Sequence, residues 1–465
     1  MSSWFKFANQ MIRNWKNQRV TVMGLGRFGG GVGVARWLAR QGARVLVTDQ
    51  EEPDALTASV NQLDGLPVEF VLGQHRDPDF RAADLVVVNP AVPPNSPFLK
   101  IAADAGVPVT TEINLFLERC RGFTVGVTGS VGKSTTTAMI GHVLERTLTD
   151  RRIWVGGNIG VSLLEKVGEI AVTDTVVLEL SSFQLERTTA LEWSANLAVL
   201  TNILPNHLDW HGSQAGYAAA KLNLFRFQNP QFDRALVHDD ASLIAQLRQA
   251  GRVDHNVWIY GLRDGAAGVR ALADSSLGTR RPATWPELRL QVPGTHNRQN
   301  AAAALSVAHL LGVPGAAACA ALAGFSGLEH RLQRVIEQAG TTFYNDSKST
   351  TPEAAITAMN AIESPVLVIL GGYDKGSDLS GLAQFAAQRA KFSACIGTTG
   401  PRLQELIAGA GGQAELVGDL TSAVQACRAR ATVGDAVLLS PGCASWDQFD
   451  DYRQRGELFA RLVSN

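Results

Sequence analysis

The stretch 123–144, with the sequence FTVGVTGSVGKSTTTAMIGHVL, constrains the fold more than any other part of the chain. Residues 123–127 form a β-branched apolar run, and apolar side chains recur at helical spacing from Met139 to Leu144. The pattern therefore predicts a buried strand, a glycine turn and a helix in succession. A turn of this kind directs backbone N–H groups at an anion beside a helix N-terminus.

The turn matches the short phosphate-loop pattern G-x-x-G-K-S at 129–134, whereas the longer pattern requires a glycine where Val127 stands. In a phosphate loop, Lys133 would contact the β- and γ-phosphates of a nucleotide and Ser134 would bind Mg²⁺. The alternative is a tight strand-to-helix turn with a solvated lysine. The order of strand, turn and helix favours the nucleotide.

Length and composition limit the class of protein. A chain of 465 residues is too long for one core, so two to four domains are expected. A net charge of -1 offers no general attraction for nucleic acid or anionic membrane. The five cysteines are scattered without C-x-x-C spacing, which favours neither disulfides nor a zinc site. With no secretory or membrane-spanning pattern, we expect a cytoplasmic protein without membrane insertion.

The first part of the chain predicts a βαβ unit, with strands at 19–23 and 43–48 and a helix at 34–40. Its glycines fit G-x-G-x-x-G, and Asp49 stands where Rossmann domains place an acid for a ribose hydroxyl. A Gly-rich connection in an ordinary α/β sheet is the alternative. A later buried strand at 84–88 ends in a proline-punctuated loop at 89–94, and open α/β sheets bind ligands at such ends.

Three polar residues stand out after the phosphate loop. Glu179 interrupts an apolar strand at 175–180, so it is either a Mg²⁺ ligand or the partner of an arginine. His207 follows a strand at 196–203, which suits a ligand of a hard cation or phosphate better than a zinc cluster with His211. Taken alone, a histidine at this position is more often a hydrogen-bonded structural residue. Lys221 lies in a helix predicted over 217–225 and, taken alone, is most simply a surface lysine.

The last part of the chain repeats the pattern of strands with polar carboxyl ends. Asn297 and Asn300 precede a helix predicted over 301–311, where they could cap the helix or contact a base edge. Strands predicted at 342–344, 365–370 and 436–439 end in NDSKST, GGYDK and SPGCAS. This arrangement indicates a doubly wound sheet whose lysines and hydroxyls suit a small anionic substrate.

Taken together, these motifs resemble the Mur ligase family of ATP-dependent peptidoglycan precursor enzymes. They occur in family order as TGSVGKST (128–135), GGNIG (156–160), LELSSFQLE (178–186), NILPNHLDWH (202–211), AAK (219–221), EHR (329–331) and NDSKST (345–350). LSSFQLE, DSK and SPGCASWDQF are most similar to the member that adds D-glutamate. Val131 and Asn206 depart from the usual asparagine and aspartate of the family.

The resemblance implies an α/β protein of three domains. A Rossmann-like domain for the UDP-sugar is expected at 1–113, and a Rossmann-like domain for the amino acid at 328–465. Between them, a P-loop ATPase-like domain with a mostly parallel sheet is expected at 114–327.

The resemblance also implies a role for each site residue, with Lys133, Lys221 and His207 as catalytic residues. ATP contacts are expected from Gly129, Ser130, Val131, Gly132, Lys133, Ser134, Thr135, Asn297, Asn300, Arg331 and Asp346. Two Mg²⁺ ions are expected at Ser134, Glu179, His207 and Lys221, the last as an N-carbamate. UDP-substrate contacts are expected from Gly26, Arg27, Phe28, Asp49, Asn89, Ala91 and Asn158. D-Glutamate contacts are expected from Lys348, Thr350, Lys375, Ser445 and Tyr452.

The implied reaction is ATP-dependent ligation of D-glutamate to UDP-N-acetylmuramoyl-L-alanine through an acyl phosphate, in cell-wall synthesis, by a monomer that binds no nucleic acid. A related ligase for another amino acid or for folate is the first alternative. A non-catalytic nucleotide-binding regulator would explain the phosphate loop but not Lys221 or the lysines near the C-terminus. A Rossmann oxidoreductase would explain Gly24 and Asp49 but gives Lys133 and Glu179 no role.

Overall fold

A computed structural model describes residues 14–26, 30–90, 92–159, 162–204, 206–249, 257–262, 269–273, 283–285 and 290–464. Arg27, Phe28 and Ala91, which were predicted to contact the UDP-substrate, lie outside these ranges. The chain divides into two compact units, one of positions 1–285 with 302–318 and the other of positions 286–301 with 319–465. The domain boundaries predicted at 113 and 327 stay a prediction.

Five strands of the described residues form the first sheet of the first unit. They are β1 Arg19–Met23, β2 Arg44–Thr48, β3 Val68–Val71, β4 Leu85–Val88 and β5 Val109–Thr110. The sheet is parallel, in the order β3-β2-β1-β4-β5. The helices around it are α1 Val32–Arg40, α2 Pro53–Asn61, α3 Asp77–Arg81, α4 Pro97–Asp104 and α5 Glu112–Leu117. In β4, Leu85 and Val87 belong to one buried apolar cluster and Val86 and Val88 to another, so both faces of the sheet are covered.

The second sheet of this unit contains eight described strands. They are β6 Phe123–Thr128, β7 Ile153–Gly157, β8 Thr175–Glu179, β9 Leu197–Leu200, β10 Arg234–His238, β11 Val257–Leu262, β12 Val269–Ala273 and β13 Ala283–Trp285. Their order is β13-β12-β11-β10-β9-β6-β8-β7, and among these described strands the β11–β12 and β12–β13 pairs are antiparallel while the other neighbours are parallel. The predicted mostly parallel central sheet is therefore confirmed.

Helices connect the strands of this second sheet, as expected for parallel neighbours. They are α6 Lys133–Thr147, α7 Ser182–Thr188, α8 Leu208–His211, α9 Gln214–Leu222 and α10 Ala241–Gln249, with 3-10 helices at Leu164–Glu169, Thr189–Leu191 and Asn223–Phe225. The helix predicted over 217–225 thus begins earlier, because Ser213 caps it by accepting a hydrogen bond from the backbone N–H of Gly216.

The sheet of the second unit has six strands within the described ranges. They are β14 Gln333–Gln338, β15 Thr341–Asn345, β16 Val366–Gly371, β17 Ala390–Ile396, β18 Ala414–Gly418 and β19 Ala436–Leu439. The order is β14-β15-β19-β16-β17-β18, and β14 pairs antiparallel to β15 while the other neighbours are parallel. Its helices are α13 Pro352–Ala361, α14 Ser380–Arg389, α15 Gly400–Gly409, α16 Leu420–Arg430 and α17 Tyr452–Ser464.

Two helices lie between β13 and β14 along the chain. They are α11 Thr295–Leu310 and α12 Gly315–Ala323. The prediction that α11 begins at 301 is wrong. The backbone N–H groups of Asn297 and Arg298 both donate to the carbonyl of Gly294, so the first helical turn forms before the alanine run. Asn297 and Asn300 therefore lie inside the helix rather than ahead of it.

The central strand of the second unit shows why its ligand site must lie at a sheet edge. Val366, Val368 and Leu370 belong to one buried apolar cluster, whereas Leu367 and Ile369 belong to another. Since side chains alternate between the two faces of a strand, both faces of the sheet are filled by packing. Polar groups that serve a ligand are left at the strand ends.

The described residues also bear on cross-links and membranes. The five cysteines, at 120, 319, 395, 427 and 443, are free thiols. Among the helices whose residues the structure describes, none combines the length and apolar character required to traverse a bilayer. In the same residues no group of three or more histidine, cysteine, aspartate and glutamate side chains is placed to hold a metal ion.

Candidate active site

Strand register brings the phosphate loop to the same sheet edge as Glu179. Val127 in β6 pairs with Glu179 in β8, which in turn pairs with Gly157 in β7. On the other side, Thr128 pairs with Leu200 at the end of β9. The loop at 129–132, Glu179 and the segment that follows β9 therefore meet at one carboxyl edge.

The glycines of the loop are required by its geometry. Gly132, directly before α6, has a φ of 84°, a left-handed conformation that favours glycine. A Cβ atom at Gly129 would collide with Oγ1 of Thr201, so a side chain has no room there. The Nζ atom of Lys133 donates to the carbonyl of Ser130 at 3.0 Å and so lies over the loop. The predicted strand, glycine turn and helix are confirmed.

Asn202 is a loop partner that sequence reasoning missed. Its side-chain oxygen accepts from the backbone N–H groups of Ser130 at 3.1 Å and Val131 at 3.0 Å, and its Nδ2 donates to the Val131 carbonyl. These bonds fix the loop against the end of β9. Its signal in the sequence is weak, because an asparagine after a strand is a common turn residue.

Glu179 is buried, with 2% of its surface exposed. Its Oε1 accepts from Nδ2 of Asn158 at 3.0 Å, while its Oε2 has no hydrogen-bond partner among the described residues. A buried carboxylate oxygen without a donor is costly unless a cation compensates it. Carboxylate oxygen is the ligand that Mg²⁺ prefers, so this residue fits a metal site.

Lys221 is also buried, with 1% exposed, so its interpretation as a surface lysine is wrong. Its Nζ donates to the carbonyl of Gly129 at 2.8 Å and lies 4.5 Å from the ring centre of Tyr217. Burial and then the nearby charge of Lys133 lower the pKa of Lys221 to about 7, although Glu179 acts to raise it. A substantial fraction of this amine is therefore neutral near neutral pH.

His207 has an unusual backbone at the same edge. Its φ is 51°, and its backbone N–H donates to Oδ1 of Asn206 at 2.9 Å. Its ring lies 4.9 Å from that of Phe183, centre to centre. Residues held in the left-handed region cluster at functional sites, which supports a functional role for His207.

Both ring nitrogens of His211 have protein partners. One ring nitrogen lies 3.1 Å from Oε2 of Glu186 and the other 3.0 Å from Oγ of Ser182. Burial, above all, lowers the pKa of His211, which favours the neutral ring. The imidazole thus joins α8 to α7 and supports the neighbouring His207 segment.

The predicted UDP-substrate residues divide between two places in the first unit. Asp49 accepts from the backbone N–H groups of Leu25 at 2.8 Å and Gly26 at 2.9 Å, so its carboxylate closes the glycine turn. Asn89 lies at the same edge, since its backbone N–H donates to the carbonyl of Met23. Asn158, in contrast, lies beside Glu179. Contacts of these residues with a uridine nucleotide stay a prediction.

In the second unit, the ends of β15, β16 and β19 meet, as predicted. The N–H of Gly442 donates to the Ser349 carbonyl at 3.0 Å, and the N–H of Tyr373 donates to the Ala444 carbonyl at 2.9 Å. The predicted D-glutamate residues Lys348, Thr350, Lys375, Ser445 and Tyr452 lie on these loops and at the start of α17.

Two of these lysines rest on aromatic rings. The Nζ atom of Lys348 lies 5.6 Å from the ring centre of Tyr452, and that of Lys375 lies 4.5 Å from the ring of Trp446. Both lysines are exposed, as is Trp446. They can therefore present ammonium groups to an anionic ligand, which is what binding of a dicarboxylate requires.

The remaining predicted ATP residues are Asn297, Asn300, Arg331 and Asp346. Asp346 accepts from the backbone N–H of Leu332 at 2.9 Å and from the hydroxyls of Ser440 and Ser349. Burial raises the pKa of Asp346 to about 6. Asn297 donates to the carbonyl of Pro293 at 2.7 Å. These contacts are structural, and a nucleotide contact at the four positions stays a prediction.

Comparisons with known proteins agree with this arrangement. Three family models match successive parts of the chain: the MurD-like N-terminal domain of Mur ligases at 18–111, the Mur ligase middle domain at 127–308, and the glutamate ligase domain of Mur ligases at 330–443. The three matches follow the same order as the three sheets.

Curated relatives match nearly the whole chain. A UDP-N-acetylmuramoylalanine--D-glutamate ligase of Roseiflexus sp. (strain RS-1) is 42% identical over 96% of this chain and 98% of its own length. A protein of the same name from Pelotomaculum thermopropionicum is 35% identical, covering 97% of this chain and 99% of its own. The crystal structure of UDP-N-acetylmuramate-alanine ligase MurC from Thermotoga maritima has a TM-score of 0.58 at 21% identity, covering 96% and 99%, which shows a shared fold.

Proposed function

Because the chain belongs to the Mur ligase family, we propose that it joins D-glutamate to UDP-N-acetylmuramoyl-L-alanine with hydrolysis of ATP to ADP and phosphate. The curated relatives are named for that activity, and they match this chain over nearly their full length. Both findings agree with the sequence prediction. The single structural observation that carries the proposal is the placement of buried Lys221 on the phosphate loop beside buried Glu179. A Rossmann oxidoreductase has no use for that pair, and a non-catalytic nucleotide-binding regulator has no use for Lys221.

The phosphate loop supplies the ATP site of the proposal. The loop N–H groups and the ammonium of Lys133 would hold the β- and γ-phosphates, with Ser134 at the start of α6. The helix N-terminus adds a favourable partial positive charge. Enzymes catalyse phosphoryl transfer mainly by positioning the reacting groups and by stabilising the negative charge of the transferring phosphoryl group.

The metal would be held by Glu179, His207, Ser134 and a modified Lys221. Mur ligases depend on ATP and generally use Mg²⁺, and the bound ion would supply charge stabilisation at the transferring phosphoryl group. We propose two such ions in this site. The orphaned Oε2 of Glu179 supports the assignment, since it offers a ligand oxygen that no described donor occupies.

Lys221 would be carried as an N-carbamate. The ammonium first loses a proton to solvent, and the neutral amine then attacks CO2. A nitrogen–carbon bond forms while one C–O π bond of CO2 becomes a carboxylate lone pair, and a second proton leaves the nitrogen, so that a cation becomes a carboxylate. The lowered pKa of Lys221 supports this step, because only the neutral amine has the lone pair that attacks. The carbamate places oxygen ligands at the metal site, whereas the unmodified ammonium of Lys221 would repel Mg²⁺ from it.

The chain would then orient two substrates in turn. The alanine carboxylate of the nucleotide sugar attacks the γ-phosphorus, which forms an acyl phosphate and releases ADP. The neutral amine of D-glutamate next attacks the acyl carbon, the nitrogen loses one proton to solvent as the amide bond forms, and inorganic phosphate leaves with the electrons of the broken C–O bond. Lys133 offsets negative charge in the first step, and the loops of the second unit would orient the amine for the second.

D-Glutamate would be bound by the carboxyl edge of the second unit. Lys348 and Lys375 would pair with its two carboxylates, while Thr350, Ser445 and Tyr452 would add hydroxyl contacts. The UDP portion of the other substrate would lie at the glycine turn closed by Asp49, near Asn89. We further propose that the enzyme acts in the cytoplasm as a monomer.

The direct test is phosphate release from ATP in the presence of UDP-N-acetylmuramoyl-L-alanine, with each candidate amino acid added separately. Release that requires both the nucleotide sugar and D-glutamate is the expected result. Release with a different amino acid, or with a folate, would keep the family and change the substrate. Tight ATP binding without substrate-dependent ADP release would instead identify a nucleotide-binding regulator.

A further inference from the structure

Arg455 is a charged side chain buried inside the second unit, with 1% of its surface exposed. It lies in the first turns of α17 and is among the largest fully buried side chains of the described residues. Guanidinium groups are rarely buried unless each donor finds an acceptor. The burial of Arg455 therefore needs a structural or functional explanation.

The guanidinium joins two loops that are far apart in the sequence. Its Nε donates to Oγ of Ser347 at 3.0 Å, and its Nη2 donates to the Ser347 carbonyl at 2.9 Å. It also donates to the carbonyl of Cys443 at 3.2 Å and to that of Ala444 at 3.3 Å. Arg455 thus fixes the loop after β15 to the loop after β19.

A third loop packs against the same point. Gly372, directly after β16, has a φ of 149°, and a Cβ atom there would collide with the Ala444 carbonyl and lie 3.2 Å from Nη1 of Arg455. The next residue, Tyr373, donates its N–H to the same Ala444 carbonyl at 2.9 Å. The loop that carries Lys375 is therefore held by its backbone against the group that Arg455 binds.

The residues held by Arg455 are direct neighbours of the proposed amino-acid ligands. Lys348 follows Ser347, and Ser445 follows Ala444. We infer that Arg455 is a positioning residue that sets the spacing of Lys348, Ser445 and Lys375 and thereby the affinity for the amino-acid substrate. The inference rests on the proposed D-glutamate site. Arg455 acts through the loops, since its own donors face protein oxygens.

The geometry requires an arginine. The planar fork of a guanidinium can serve acceptors on two sides at once, whereas a lysine ammonium is a single point. Burial lowers the pKa of Arg455 to about 10, so the group is still a cation at neutral pH. A methionine of similar length would fill the space but would leave the carbonyls of Ser347 and Cys443 without their donors.

The test compares R455M and R455K with the control R461M, an exposed arginine on the same helix. Initial rates of phosphate release are measured against D-glutamate, ATP and UDP-N-acetylmuramoyl-L-alanine in turn. We expect R455M to raise the KM for D-glutamate about tenfold or more, because small displacements of positioning groups have large effects. We expect its KM for the other two substrates to change less than about twofold. R455K should fall between R455M and wild type, and R461M should match wild type.

The outcomes separate this inference from the proposed function. A wild-type enzyme that needs no D-glutamate would overturn the proposed function itself. A wild-type enzyme with normal D-glutamate dependence, but an unchanged or non-selective KM profile in R455M, would overturn only the role of Arg455. If R455M does not fold, as judged by its thermal unfolding, R455K decides the question, because it keeps the cation but loses the planar fork that serves both loops. A selective rise in the KM for D-glutamate in R455K would then support the inference, and an unchanged value would overturn it.

Discussion

The edge of the first unit that carries the phosphate loop and the edge of the second unit proposed to bind D-glutamate are both carboxyl edges of parallel strands, yet they are assembled differently. In the first, one continuous segment at 129–135 supplies most of the predicted nucleotide contacts. In the second, three loops from β15, β16 and β19 each supply one or two residues. Buried Arg455 and Asp346 connect these loops from beneath. The comparison shows that the residues predicted to contact the ligand are contiguous at the first edge and dispersed at the second, although long-range polar contacts hold the loops of both.

The largest effect should come from the local motif. We expect K133A to lower ATP-dependent phosphate release about a thousandfold, because it removes a cation that stabilises the transferring phosphoryl group. The measurement is a steady-state rate with all three substrates present. The control is K166A, since Lys166 is exposed and pairs only with Glu169 at the surface among the described contacts. A K133A enzyme with the full rate would remove the phosphate-loop interpretation.

A slightly smaller effect should come from Lys221, which extends from α9 to the phosphate loop. We expect K221A to lower turnover about a hundredfold, as loss of a metal-site group does, and a short carboxylate such as formate to restore part of the rate. The physical reason is that formate can supply the carboxylate oxygens that the carbamate would have supplied. Mass spectrometry of intact wild-type protein gives a second readout of the added CO2.

K221R is the matched variant for that experiment. It keeps a cation but cannot form the carbamate, and its larger side chain leaves less space for formate. We expect no rescue of K221R. Full activity of K221A without any carboxylate would contradict the assignment of Lys221, and equal rescue of both variants would show that formate acts elsewhere.

A third variant separates metal binding from the loop. We expect E179Q to raise the Mg²⁺ concentration needed for half-maximal rate about tenfold, because an amide oxygen is a weaker ligand than a carboxylate. The rate is titrated with Mg²⁺ at saturating substrates, with the exposed Glu169 changed to glutamine as the control. Identical Mg²⁺ curves for E179Q and wild type would exclude Glu179 as a ligand.

The smallest effect concerns stability in the second unit. Burial raises the pKa of Asp346 from 3.8 to about 6, so the folded state holds the proton more tightly than the unfolded state. Stability from this group is then full below about pH 4 and is lost as the pH rises through 6, by about 3 kcal/mol. D346N mimics the protonated form, so its unfolding free energy should lack this fall.

The measurement is thermal unfolding of wild type and D346N across about pH 4 to pH 7. We expect the difference in melting temperature to favour D346N increasingly as the pH rises. The exposed Glu363 provides the control, because E363Q should follow wild type at every pH. Parallel curves for wild type and D346N would show that Asp346 does not titrate in this window.

Sequence alone determined the parts of this protein that are encoded in contiguous residues. The phosphate loop, the parallel strands and the polar strand ends were predicted because glycine spacing and β-branched runs act over a few neighbouring positions. The family and its reaction also came from the sequence, through ordered motifs that the relatives confirm. Helix starts were less certain, as α11 shows, since capping depends on a few local bonds.

Only the tertiary structure decided which polar side chains are buried and what they hold. Lys221 looked like a surface lysine until α9 placed it on the carbonyl of Gly129. Asn202 and Arg455 have little signal in the sequence, because their hydrogen-bond partners lie in segments far along the chain. The physical reason is that the free energy a polar group contributes depends on its burial and its hydrogen-bond partners. Both are set by tertiary packing rather than by neighbours in the sequence.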